Sequence, residues 1–214
     1  MTVAIRALLS GRVRPFARDE GSAISKAPLA GKVRITQLGI VGDEQADRVH
    51  HGGPDKALHH YPFDHYARWR SETDHADLQA PGPFGENVST LGLTEDGVCI
   101  GDRFRLGSAL VEISQARKPC WKQGDRLDWT QLPALMVQEG RSGWYYRVIE
   151  EGEAEAGDNL TLVDRPLPDW TVRRVFDLIV AGKHKNDKAA FRALAEMDVL
   201  FEGWRKIAAD RLRD

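Results

Sequence analysis

The feature that most constrains the fold is a pair of short alternating runs around residue 107. Arg103-Phe104-Arg105-Leu106 and Ala109-Leu110-Val111-Glu112-Ile113 flank the dipeptide Gly107-Ser108. A period of two is the signature of a strand, and a two-residue turn with Gly first closes a β-hairpin. Weaker β signals recur along the chain. Residues 2–9 alternate and are rich in Val, Ile and Leu, and Lys32-Val33-Arg34-Ile35-Thr36 reads as a second short strand. Gly143 to Ile149 and Leu160 to Val163 read as two more, around a Gly- and Glu-rich turn. Helical spacing appears after Pro62, at Phe63, Tyr66 and Trp69-Arg70, and again from Leu132 to Gln138. Many short strands with turn signals and few helices predict a mainly β body, a β-barrel or sandwich.

The character changes at Arg165-Pro166-Leu167-Pro168. Thr171 can cap a helix whose apolar positions Val172, Val175, Phe176, Ile179 and Val180 share one face, with Gly182 as its stop. Asp187 can cap a second helix carrying Phe191, Leu194 and Ala195, and Leu200, Trp204, Ile207 and Ala208 mark a third. The expected organisation is a β-barrel body over residues 1–166 and a small three-helix domain over 167–214.

The formal charge is −2 over 214 residues, so nothing suggests a nucleic-acid partner, which needs a basic field over one face. The apolar runs fall far short of the roughly 20 residues needed to cross a bilayer, and the N-terminus has no signal-peptide pattern. Only Cys99 and Cys120 are present, too few for a disulfide framework, so a reducing, cytoplasmic location is expected. Two cysteines are also too few for an in-chain iron–sulfur cluster, so electrons have to come from another protein or a small molecule.

Three segments carry chemistry. Cys120 follows Gln115-Ala116-Arg117-Lys118-Pro119 at what reads as the end of a strand, and the fixed charges of Arg117 and Lys118 favour thiolate, a soft ligand for thiophilic metals. Cys99, in Gly97-Val98-Cys99-Ile100, sits on an apolar strand and reads as an inert packing residue. Within the long irregular stretch Val41 to Asp55, His51-Gly52-Gly53 and Lys56 suit an anion: paired glycines turn backbone N–H groups toward one ligand, Lys56 adds charge and His51 a titratable donor. Phe84-Gly85-Glu86-Asn87 sets a carboxylate beside an amide after a Gly turn; taken alone it is turn chemistry, with Asn87 bonding its own backbone. The histidines at 50, 51, 59, 60, 65 and 75 fail the spacing test for zinc. No Gly-Xaa-Ser-Xaa-Gly elbow or Walker loop is present.

In this order the segments resemble the MOSC family, named for the C-terminal part of molybdenum-cofactor sulfurase, and within it the YiiM-type members that reduce 6-hydroxylaminopurine and related N-hydroxylated compounds. Gly42 to Asp47 and His51 to Ala57 match the family's run, and His60-Tyr61-Pro62, Phe84 to Asn87, Gly92 to Glu95 and Gly101-Asp102 continue it. Gln115, Arg117, Pro119 and Cys120 match Gln-Pro-Arg-x-Pro-Cys, with Ala116 in place of the usual Pro. An extra His50 precedes the His-Gly-Gly run, and the aminotransferase-like domain of true sulfurases is absent, so pyridoxal phosphate is not implied. The resemblance implies a β-barrel holding a molybdenum cofactor (Mo-molybdopterin), with Cys120 as catalytic residue and molybdenum ligand. Arg117, Lys118 and Lys56 would balance cofactor charge, while His51, Asn87 and Gln115 orient cofactor or substrate beside Gly52 and Gly53. It also implies an N-hydroxylated small-molecule substrate and an external electron donor, a flavoprotein reductase. A persulfide carrier on Cys120 and a non-enzymatic cofactor-storage protein stay open as alternatives.

Overall fold

The computed structural model describes residues 1–46 and 52–213. Seven strands close into a barrel: β1 (Thr2–Ser10), β2 (Leu58–His60), β3 (Val88–Thr90), β4 (Arg103–Leu106), β5 (Ala109–Ala116), β6 (Trp144–Glu150) and β7 (Asn159–Asp164). Their order is β7-β4-β5-β6-β2-β3-β1, and pairing of β1 with β7 completes the circle and leaves no long free edge. Every contact in the ring is antiparallel except β2 with β3, where His60 pairs with Val88. The hairpin expected around residue 107 is present, with Ala109 opposite Leu106. Gly107 adopts φ +57°, and a Cβ there would lie 2.3 Å from the carbonyl oxygen of Glu153, so turn and packing both require glycine.

The connection between β6 and β7 is more than a turn. It contains the strand Gly152–Ala154, which pairs with Val33–Thr36 and so satisfies backbone groups on the way across the barrel end. The two strands it joins are accordingly not neighbours, since β5 and β4 stand between them. Cys99 is not on a strand either. It makes a single bridge to Thr171, because Ile100 N–H donates to the Trp170 carbonyl and Val172 N–H to that of Val98. The side chain is 1% exposed, consistent with a packing role.

Among the described residues six α-helices accompany the barrel: α1 (Asp64–Glu72), α2 (Trp121–Arg126), α3 (Leu132–Glu139), α4 (Val172–Ile179), α5 (Lys188–Ala195) and α6 (Glu202–Asp210). The expected caps are in place: Thr171 accepts from Arg174 N–H at 3.1 Å and Asp187 from Ala190 N–H at 2.9 Å, each worth about 1 kcal/mol. The apolar faces of α4, α5 and α6 do not form a core of their own. Phe176, Phe191 and Leu200 belong to one cluster with Phe104, Trp144 and Tyr146 of the barrel. A second, smaller cluster of Tyr61, Tyr66, Trp69, Phe84, Leu132 and Met136 packs α1 and α3 together.

Candidate active site

The site begins where β5 stops. Ala116 is the last strand residue, and Arg117 N–H still reaches the Gly143 carbonyl at 3.0 Å. The chain then leaves the barrel, and Cys120 stands not at a strand end but at the cap of α2. The helix has little amphipathic pattern to betray it in sequence. It starts because Cys120 and Gln123 cap each other: Cys120 N–H donates to Gln123 Oε1 at 3.1 Å while the Cys120 side chain accepts from Gln123 N–H. This fixes the thiol at the junction of two cavities.

The inner cavity encloses about 90 Å³ and is rich in cations: Lys26, Lys56, Arg117 and Lys122 line it with Cys120. Arg117 is buried beside Cys120 and Tyr145, and its Nε and Nη1 have no hydrogen-bond partner among the described residues. Such donors are costly to leave unmet and are available to a ligand. Lys26 is ion-paired with Asp43; burial holds its pKa below the usual lysine range, with Asp43 opposing that shift. Lys122 bridges Glu20 at 2.9 Å and the Gly21 carbonyl at 3.2 Å. His59 also lines the cleft, 3% exposed, its ring 5.4 Å from that of Tyr145. Burial first, and then Arg117, keep it neutral, against a weak opposite pull from the Gly85 backbone.

The outer groove, about 510 Å³, shares Lys56, Cys120, Lys122 and Tyr145 with the inner cleft. Gln115, Lys118 and Trp121 complete its barrel side, and residues of α6 form the other side. Cys120 therefore lines both cavities.

The structure brings together six of the residues expected from sequence. Cys120, Arg117, Lys56 and Asn87 line the cleft; Gln115 and Lys118 line the groove, with Lys118 exposed. Asn87 does not bond its own backbone. Its amide accepts from His59 N–H at 3.1 Å and donates to the Leu9 carbonyl at 3.1 Å and to Asp43 Oδ2 at 2.9 Å, which fixes Asp43 beside Lys26. Gly52 and Gly53 line neither cavity. Gly53, at φ +91°, starts the turn Pro54–Lys56 that aims Lys56 inward, and a Cβ on it would meet nothing within 4 Å. His51 lies outside the described residues. Lys26, His59, Lys122, Trp121 and Tyr145 were not expected. Trp121 and Lys122 adjoin Cys120 in sequence, whereas Lys26 and Tyr145 reach the site only through the fold.

The acidic residues near these segments hold loops. Glu86 accepts from Tyr66 O–H and from the N–H groups of Gly82 and Phe84. Glu95 accepts from the N–H of Ser142 at 3.0 Å and of Gly143 at 2.6 Å, and pairs with His65 at 2.7 Å.

The pattern of the MOSC domain matches residues 47–161, which span the barrel strands from β2 onward and Cys120. The chain belongs to the MOSC domain family. The YiiM-like 3-alpha helix domain matches residues 170–214. Protein YiiM of Escherichia coli strain K12 is 44% identical over 203 residues, covering 94% of this chain and 89% of that protein. A protein of Gibberella moniliformis named "Reductase" is 38% identical over 194 residues; the match covers 90% of this chain but only 34% of that longer protein. The crystal structure of YiiM from Geobacillus stearothermophilus superposes with a TM-score of 0.83 at 32% identity, covering 99% of this chain and 100% of that one.

Proposed function

We propose that this MOSC protein is a molybdenum-cofactor-dependent reductase of N-hydroxylated compounds such as 6-hydroxylaminopurine. The observation that carries the proposal is the position of Cys120, shared by two adjoining cavities, one of them lined by Lys26, Lys56, Arg117 and Lys122 together with Asp43 and Glu44. The residues fit the group: a soft thiolate suits molybdenum, and the unpartnered Arg117 nitrogens with Lys56 and Lys122 suit a pterin phosphate. His59, held neutral, can donate or accept at the pterin ring. When bound, the cofactor supplies two-electron redox chemistry; the protein places and tunes it.

The overall conversion takes R–NHOH, two electrons and two protons to R–NH2 and water. The electrons come from an external donor, a flavoprotein reductase in this reading. Arg117 and the lysines compensate the negative charge that a bound cofactor brings to the cleft. The fungal relative's name supports a reductase. No helix among the described residues is long and apolar enough to cross a membrane.

The test is to purify the protein from a host that makes the cofactor, measure bound molybdenum, and assay reduction of an N-hydroxylated base with an artificial donor. Stoichiometric metal with turnover, both lost in Cys120→Ser, is the expected result. Metal without turnover would point to storage. A persulfide on Cys120 with neither metal nor turnover would overturn the reductase.

A further inference from the structure

Arg147 stands on β6 opposite Glu112 of β5, and its guanidinium gathers acceptors from separate parts of the chain. Nε and Nη2 both reach Asp55 Oδ1 at 2.7 Å, while Nη1 donates to Glu112 Oε1 at 2.8 Å and to the Val199 carbonyl at 2.9 Å. A planar fork of N–H donors can span these acceptors at once; the single ammonium of a lysine cannot. The Arg147 side chain is 20% exposed and that of Glu112 4%, so the cluster is sheltered from the screening that weakens a surface pair.

Val199 lies in the loop between α5 and α6, which seats the helical domain, and Asp55 lies in the turn Pro54–Lys56. The neighbouring strand repeats the arrangement. Ser114 donates its hydroxyl to the Asp55 carbonyl at 2.5 Å and accepts Phe201 N–H on its own carbonyl at 3.0 Å. Arg147 and Ser114 therefore each grip both the Lys56 turn and the docking loop. The ring of Phe201 then comes within 4.6 Å of Lys56 Nζ. Lys56 is 8% exposed and lines both cavities with Cys120. Its short 3-10 turn, closed by Lys56 N–H on the Gly53 carbonyl at 3.0 Å, is too small to aim a long side chain without outside support.

We propose that Arg147 is a positioning residue for Lys56: it locks the turn Pro54–Lys56 to the barrel and to the loop that seats the helical domain. Among the described residues the helical domain lends no side chain to the inner cleft, yet through Arg147 it holds one of the cleft's cations in place. The charge-balancing task of Lys56 rests on the reductase reading; its placement does not.

The test is trace acetylation of the full-length protein as purified, with the rate at each lysine read by mass spectrometry. Lys118 serves as the exposed reference and Lys26, its side chain 7% exposed, as the buried one. In the parent, Lys56 should react far more slowly than Lys118. Arg147→Met should speed Lys56 about tenfold, the scale of one lost charge-assisted hydrogen bond, and leave Lys26 within about twofold of the parent. Asp55, 32% exposed at its side chain, gives a milder variant should Arg147→Met not fold, and Asp55→Asn is expected to release Lys56 in the same way. The double variant should exceed neither single one by more than about twofold, because the two residues form one link. Arg103→Met is the control: Arg103 pairs with the other Glu112 oxygen at 2.8 Å, so its loss should leave Lys56 at the parent rate. Unchanged Lys56 labelling in both Arg147→Met and Asp55→Asn overturns the proposal. So does equal acceleration of Lys26 in Asp55→Asn, or release of Lys56 by Arg103→Met, since either marks general loosening. Selective release of Lys56 in a protein that takes up no molybdenum upholds the positioning role and overturns the reductase instead.

Discussion

His60 offers a quantitative check on how the barrel is built around the site. It sits on β2 next to His59 but on the opposite face, fully buried, its ring 4.2 Å from that of Trp144. Its two ring nitrogens meet the hydroxyls of Tyr146 at 3.0 Å and Thr90 at 2.9 Å. Both partners are neutral, so burial pushes its pKa down from 6.5 to about 3. The folded protein therefore refuses a proton that the unfolded chain accepts, and stability is present above pH 6.5 and lost as pH falls toward 3. Taking these two pKa values, going from pH 7.5 to 5.5 removes on the order of 1 kcal/mol, and going to 4.5 on the order of 3 kcal/mol. His59 acts in the same direction, so the informative quantity is the difference between the parent and His60→Gln. Urea unfolding at those three pH values should give a variant that is less stable at pH 7.5 but has a shallower pH slope, by about one proton. Equal slopes, or an NMR titration of His60 with a midpoint near 6.5, would refute the reasoning.

Other expectations concern the cleft and the frame. Lys26→Met leaves Asp43 buried without its cation and should cost about 3–5 kcal/mol in urea unfolding, partly recovered in the Lys26→Met, Asp43→Asn double variant. A thiol reagent should modify Cys120 rapidly and Cys99 only on unfolding, because Cys99 is buried and burial raises its pKa; Cys120→Ser should abolish the fast phase. Loading with cofactor should protect that same fast thiol. Gly107→Ala forces a Cβ against the Glu153 carbonyl at positive φ and should lower stability by at least about 2 kcal/mol, measured the same way.

Local pattern was enough wherever a residue's role depends on its sequence neighbours. The hairpin at Gly107 and the caps at Thr171 and Asp187 follow from period and turn chemistry over a few residues. Cys120, Arg117 and Lys56 could be singled out because their charges and glycines lie close together in the chain. α2 escaped notice because a reciprocal cap, rather than an apolar stripe, starts it. The cleft escaped because Lys26, His59 and Tyr145 reach it from strands and loops far apart in sequence, and the pairing of β6 with β2 and β5 sets Tyr145 opposite His59 and Gln115, near Cys120. Nor did the amphipathic pattern of the last helix say what it faces. Its sequence determined that Trp204 and Ala208 are buried; the hydrogen bond from Phe201 to Ser114 decided that its flank would wall the groove at Cys120. Burial is a property of one segment's periodicity, but a site is a property of which segments the closed barrel forces together.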